Sequence, residues 1–116
     1  SLSALQSELE QASQAGQPVF AHFTAEWCIS CKLMEREVYP DPQVAAALND
    51  FQLIAVDVTE TNAQSRELLN HFNLFGPPSL LLFSQGKEVR EARIQGEVTA
   101  QDLVQHLDSF KRWQQG

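Results

Sequence analysis

Val19-Phe20-Ala21-His22-Phe23-Thr24-Ala25-Glu26-Trp27-Cys28-Ile29-Ser30-Cys31-Lys32 runs from an apolar segment into two cysteines separated by two residues, and the chain of 116 residues has no other cysteine. Val19 to Thr24 is rich in strand formers, whereas the pattern from Cys28 to Val38 is helical, so both sulfurs fall where a strand hands over to a helix. A disulfide closing so short a loop takes little entropy from the unfolded chain and makes a poor staple. Exchange chemistry is the better use of it. A Cys-x-x-Cys pair is also half of a zinc site. A full set of zinc ligands would have to draw on His22, His71 and His106, because there is no second closely spaced pair.

At the head of a helix the unpaired N–H groups and the positive end of the dipole favour a thiolate, so Cys28 is the nucleophile, exposed at the helix start with a lowered pKa. Cys31, nearly one turn deeper on the same face, is placed to attack a mixed disulfide formed at Cys28 and release the reduced partner. Glu35 lies two turns from Cys28 along that face, approaching the sulfurs from beneath. A charge there disfavours a second one on sulfur and opposes the helix terminus. Trp27 covers one side of the disulfide in this reading and contributes to a docking surface, with Phe75 playing a similar part from a later loop; plain packing of the indole and core filling by Phe75 are the alternatives.

Upstream of this stretch, Leu2, Leu5, Leu9 and Ala12 fall at helical spacing, and Gly16 and Pro18 supply the stop. Downstream, Pro40-Asp41-Pro42 breaks the cysteine helix and restarts it, with Asp41 as cap, Pro42 in the first helical position, and Val44, Ala45 and Leu48 turned inward. Phe51 to Val58 reads as a second continuous apolar strand, and Thr61 to Phe72 as a helix with Leu68, Leu69 and Phe72 on one face. After Gly76-Pro77-Pro78, the segment Ser79 to Phe83, the turn Ser84-Gln85-Gly86-Lys87 and the segment Glu88 to Gln95 read as a β-hairpin. A last helix from Thr99 to Trp113 buries Leu103, Val104, Leu107 and Phe110. Strands alternating with helices, then a hairpin, imply an α/β fold with a central mixed β-sheet flanked by helices on both faces.

Phe23-Thr24-Ala25-Glu26-Trp27-Cys28-Ile29-Ser30-Cys31-Lys32 resembles the active-site segment of the thioredoxin superfamily, and Gly76-Pro77-Pro78-Ser79 resembles its cis-proline loop. The match runs the whole length in the proper order. Glu35, the Asp41-Pro42-Gln43-Val44 step and Val56-Asp57-Val58-Thr59 before a helix are similar, within that superfamily, to the C-terminal periplasmic domains of bacterial transmembrane thiol reductases. The resemblance implies a thioredoxin-like fold and a thiol-disulfide oxidoreductase that relays electrons from a membrane-embedded cysteine pair to a neighbouring N-terminal domain, in the periplasm and tethered to the inner membrane. It also implies a redox-active Cys28–Cys31 disulfide and no bound cofactor. Pro78 is the cis residue, and the residue before it offers its backbone to a bound polypeptide. Here that residue is Pro77, which retains only the carbonyl. Where the family carries an Asp six residues before the first cysteine, this chain has His22. A neutral His22 would shuttle a proton to or from Cys31, a charged one would favour the thiolate, and a hydrogen-bonded core histidine would do neither.

Eight basic against fifteen acidic residues give a net charge of −7, which argues against nucleic acid or anionic lipid as partner and leaves proteins or small molecules; the resemblance implies protein disulfides. No apolar run approaches the ~20 residues of a membrane span. The expectation is therefore one monomeric domain over residues 1–116, excised from a larger membrane-anchored protein, that does not itself insert into the bilayer. The rivals are a free-standing thioredoxin, a periplasmic thiol reductase for cytochrome maturation, a non-catalytic binding module of the same fold, and a metal carrier.

Overall fold

A computed structural model describes the whole chain, Ser1–Gly116. Helix α1 (Leu2–Gln14) is capped by Ser1 and buries Leu5, Leu9 and Ala12, the face its spacing predicts. Gly16 follows at a φ of +73°, where a residue without Cβ avoids a steric cost. Strand β1 (Val19–Thr24) comes next, then α2 (Ile29–Glu37) with Cys28 as its N-cap. Asp41 caps α3 (Pro42–Leu48), its Oδ1 accepting the N–H groups of Gln43 at 2.9 Å and Val44 at 3.2 Å. This satisfies two donors that the new helix would otherwise leave open. Strand β2 (Gln52–Asp57), helix α4 (Ala63–His71, capped by Asn62), strand β3 (Ser79–Ser84) and helix α5 (Ala100–Gln115, capped by Thr99) complete the main elements.

β1 lies parallel to β2, with Val19 opposite Gln52 and Phe23 opposite Val56, and antiparallel to β3, with Phe23 opposite Ser79. The mixed sheet therefore has β1 inside it, and period-two alternation along β1 serves two cores. Val19, Ala21 and Phe23 face the layer formed by α1 and α4, together with Ile54, Val56, Leu81 and Phe83. Phe20, Leu80 and Leu82 face the other layer, formed by Met34 and Val38 of α2, Val44, Ala47 and Leu48 of α3, and Leu103, Leu107 and Phe110 of α5. Cys28 and Cys31 join the first core while Met34 joins the second, so α2 bridges the two at the carboxyl end of β1.

β2 forms where the apolar run predicts a strand and lies at the edge of the sheet, paired with β1 alone; only Ile54 and Val56 of it are buried, while Leu53 is 52 % exposed. Two readings are corrected. Ala45 is exposed, and Ala47 takes its inward place in α3. The hairpin's return strand is broken into β4 (Lys87–Glu88), a 3-10 turn (Arg90–Ala92) and β5 (Ile94–Gln95), both strands pairing with β3. The interruption brings Arg93 back onto Glu88, whose carboxylate it clasps through two hydrogen bonds of 2.8 and 2.6 Å with both side chains nearly buried. A continuous strand would put four residues of extended chain between these two groups.

Candidate functional site

β1 ends at Thr24, and Ala25-Glu26-Trp27 carries the chain over the sheet edge to the head of α2. The turn is set by backbone and side chain together. Cys28 N–H donates to the Ala25 carbonyl at 3.1 Å, and Cys28 Sγ accepts the N–H of Cys31 at 3.1 Å, the position a capping oxygen usually takes. Cys28 and Cys31 are joined as a disulfide, with Cα atoms 5.2 Å apart. The nucleophile's expected exposure is corrected here: Cys28 is 6 % exposed and Cys31 3 %, because the capping geometry folds the first sulfur back against the helix end. The pair is recessed, with its outer member the less covered.

Around it stand three exposed apolar side chains. Trp27 is 61 % exposed and its Nε1 donates to the Thr59 carbonyl at 3.0 Å, which pins the indole to the loop after β2. Glu26 N–H donates to Thr59 Oγ1 at 2.8 Å, so the same residue anchors both neighbours of Cys28. Ile29 is 86 % and Phe75 fully exposed. Trp27 and Ile29 are the chain neighbours of Cys28, and Phe75 stands at the entrance of the cis-proline loop. Phe75 leads into Gly76-Pro77-Pro78, where the Pro77–Pro78 peptide bond is cis. Ser79 Oγ donates to the Gly76 carbonyl at 2.7 Å, and the Pro78 carbonyl accepts the N–H of Gly96 at 2.9 Å.

Glu35 is held from two sides, its Oε2 accepting the Thr24 hydroxyl at 2.7 Å and its Oε1 facing Lys32 Nζ at 3.2 Å. The Thr24 hydrogen bond holds this carboxyl below its ordinary range; partial burial opposes it, and Lys32 and His22 add to the lowering. Lys32 also reaches Glu26 at 2.9 Å, so one cation ties the acid next to Trp27 to the acid on the helix. Those hydrogen bonds draw the ammonium above its usual range. His22 stacks between Phe20, 6.1 Å away between centroids, and Tyr39, at 5.2 Å. Burial keeps the imidazole below its ordinary value despite the pull of Glu35, and it pushes the Tyr39 phenol above its own. His22 is therefore neutral at pH 7. His22, Tyr39, Phe20, Leu48 and Phe51 line an open cleft of about 340 Å³ beside α3.

The pairing of Phe23 with Ser79 sets the cis-proline loop beside the end of β1 from which the turn at Cys28 departs, and Thr24 and Glu35 meet on the α2 side of the sheet, while His22 packs instead against Phe20 and Tyr39. His71 is exposed, and His106 is taken up by the Ala92 carbonyl at 2.6 Å. No group of three or more His, Cys, Asp or Glu converges as a metal ion would require. Sequence reasoning missed Ile29, Thr24, Lys32, Thr59 and Glu97, whose Oε2 accepts the Ser30 hydroxyl at 2.9 Å. Thr24 is two residues after His22 on one strand face and Lys32 three before Glu35 on one helix, spacings that contain the signal. Nothing local announces Thr59 or Glu97.

A recessed disulfide capping a helix, facing a cis-proline loop at the end of a mixed sheet, defines a thiol-disulfide oxidoreductase domain. The chain belongs to the thioredoxin-like family: the family's sequence profile, described as a thioredoxin-like domain, matches residues 5–111. It is 45 % identical over 104 residues to the thiol:disulfide interchange protein DsbD 1 of Pseudomonas aeruginosa, covering 89 % of this chain and 18 % of that one. To DsbD of a Pseudomonas species it is 48 % identical over 103 residues, covering 88 % of this chain and again 18 % of the relative. Among solved structures, the oxidised C-terminal domain of DsbD from Neisseria meningitidis superposes with a TM-score of 0.80 at 27 % identity, covering 94 % of this chain and 95 % of that one. Its reduced form gives 0.81 at 28 % identity, covering 94 % and 96 %. The chain thus spans about a fifth of the length of these curated relatives.

Proposed function

We propose that this domain is the periplasmic electron relay of a larger membrane-tethered protein, taking electrons from a membrane-embedded cysteine pair and passing them to a neighbouring N-terminal domain. The observation that carries this reading is the Cys28–Cys31 disulfide at the N-cap of α2, with Cys28 Sγ accepting a backbone N–H. The likeness to DsbD relatives several times longer supports a parent with further domains. No helix of this chain is long and apolar enough to cross a membrane, so any span lies elsewhere in that parent.

In the reduced domain, the N–H that meets Cys28 Sγ and the positive end of α2 stabilise the thiolate. It attacks one sulfur of a partner disulfide; a mixed disulfide forms and the partner's other sulfur leaves as a thiolate, taking a proton from solvent. Cys31, deprotonated, attacks Cys28 Sγ, expels the partner's second thiol and closes the Cys28–Cys31 bond. Two electrons pass to the partner, and no cofactor takes part. Trp27, Ile29 and Phe75 frame the approach, the Pro77 carbonyl pairs with the incoming strand, and neutral His22 accepts the Cys31 proton beside the fixed charge of Glu35.

A Cys31→Ser variant tests the assignment. Incubated with the parent's N-terminal domain in its disulfide form, it should accumulate a covalent adduct at Cys28 that thiol reductant releases, whereas Cys28→Ser should form none. Adduct with insulin but not with the N-terminal domain would point to a free-standing general reductase. No adduct with either would leave a binding module.

A further inference from the structure

The loop between β5 and α5 touches both halves of the site with consecutive residues. Gly96 N–H donates to the Pro78 carbonyl at 2.9 Å, and Glu97 Oε2 accepts the Ser30 hydroxyl at 2.9 Å. Ser30 lies between the two cysteines in the first turn of α2, and Glu97 is 67 residues away in sequence. Pro78 ends the cis-proline loop. The Glu97 carboxylate has no cationic partner, since the ion pairs engage other acids. Its one side-chain hydrogen bond goes to the stretch that carries the reacting sulfurs.

We propose that Glu97 is a positioning residue for polypeptide substrates: its hydrogen bond with Ser30, next to the Gly96–Pro78 bond, sets the spacing between the disulfide and the strand-pairing loop. The proposal rests on the exchange reaction above and adds a residue to it. An extended substrate must present its disulfide to Cys28 and its backbone to Pro77 at once, so the separation of those two surfaces fixes where the scissile sulfur falls. A small disulfide meets only Cys28 and has no such requirement. Pro77 lacks an N–H, so the substrate strand has one fewer bond to hold its register, and the groove's geometry carries more of the burden. The electrostatic alternative is that Glu97 acts on the Cys28 thiolate through its charge, alongside Glu26, Lys32 and Glu35 on the approach and the helix, His22 on β1, Asp57 at the end of β2 and Glu60 beyond it. That alternative would be insensitive to the hydrogen bond.

The two are separated by Glu97→Ala, Glu97→Gln and Ser30→Ala, each prepared reduced and mixed with a short synthetic peptide closed by one disulfide and, separately, with an aryl disulfide. Oxidation of the domain is followed in both cases. In Glu97→Ala and Ser30→Ala the ratio of peptide rate to aryl disulfide rate should fall about three- to tenfold, the worth of one hydrogen bond, through a raised saturation constant for the peptide. Glu97→Gln retains an oxygen acceptor for Ser30 and should restore the ratio. The proposal is overturned if Glu97→Gln matches Glu97→Ala, if Ser30→Ala leaves the ratio at the wild-type value, or if both rates fall together. If the wild-type domain reduces neither substrate, the exchange assignment itself fails and the test says so independently.

Discussion

Two side chains on β1 and α2, His22 and Glu35, reach different charge states for different reasons. Glu35 is kept ionised by the Thr24 hydroxyl first, so it is a fixed negative charge, whereas burial keeps His22 neutral. Removing that fixed charge with Glu35→Gln should lower the Cys28 pKa by about half a unit, as loss of a screened like charge does. Thiolate absorbance against pH reads it, and an unchanged titration would remove Glu35 from the chemistry. For His22 the sign follows from linkage. Its folded pKa lies below the unfolded value of 6.5, so the unfolded chain binds the extra proton first. The contribution to stability is complete above 6.5 and is lost as pH falls from there through the folded pKa. Urea midpoints measured from neutral pH down to about 5 should therefore drop more steeply for the wild type than for His22→Asn, and parallel curves would mean that the imidazole titrates alike in the folded and unfolded chain.

Among elements, α3 is the one whose start is most plainly written. Asp41 and Pro42 supply the cap and the first helical residue, and Val44, Ala47 and Leu48 then enter the core under α5. Asp41→Ala should cost about 1 kcal/mol in a urea melt, with the slope unchanged. The same kind of local chemistry made the helix starts and the turn into α2 readable. It marks β2 as a strand but does not place it in the sheet: Leu53 and Ala55 are exposed, and an uninterrupted apolar run looks alike in the middle of a sheet and at its margin. It fails after Glu88, where a buried pairing with Arg93 outcompetes extended backbone, and pairings of that kind have no periodic trace in the sequence. The Cys28–Cys31 pair, Glu35 and the Pro77–Pro78 loop were legible as motifs, while Thr59 and Glu97 reach the site only through the folded topology.

For the molecule as a whole, stability is concentrated at the centre of the sheet. Leu81 of β3 has no exposed surface and lies between the strands, whereas Leu53 on the margin is half exposed. Leu81→Ala should cost about 3 kcal/mol in equilibrium denaturation, and Leu53→Ala less than about 0.5 kcal/mol. Comparable losses at the two positions would mean that β2 is covered in solution by something else. The arrangement leaves the disulfide just past the end of β1, a strand paired on both sides. Cys28 and Cys31 are nearly covered while Trp27 and Ile29, which flank the first sulfur in the chain, are exposed. A flat surface pressed onto this end of the sheet therefore meets an indole and an isoleucine before it meets sulfur, and a disulfide that stands proud of its own surface is the easier one to reach.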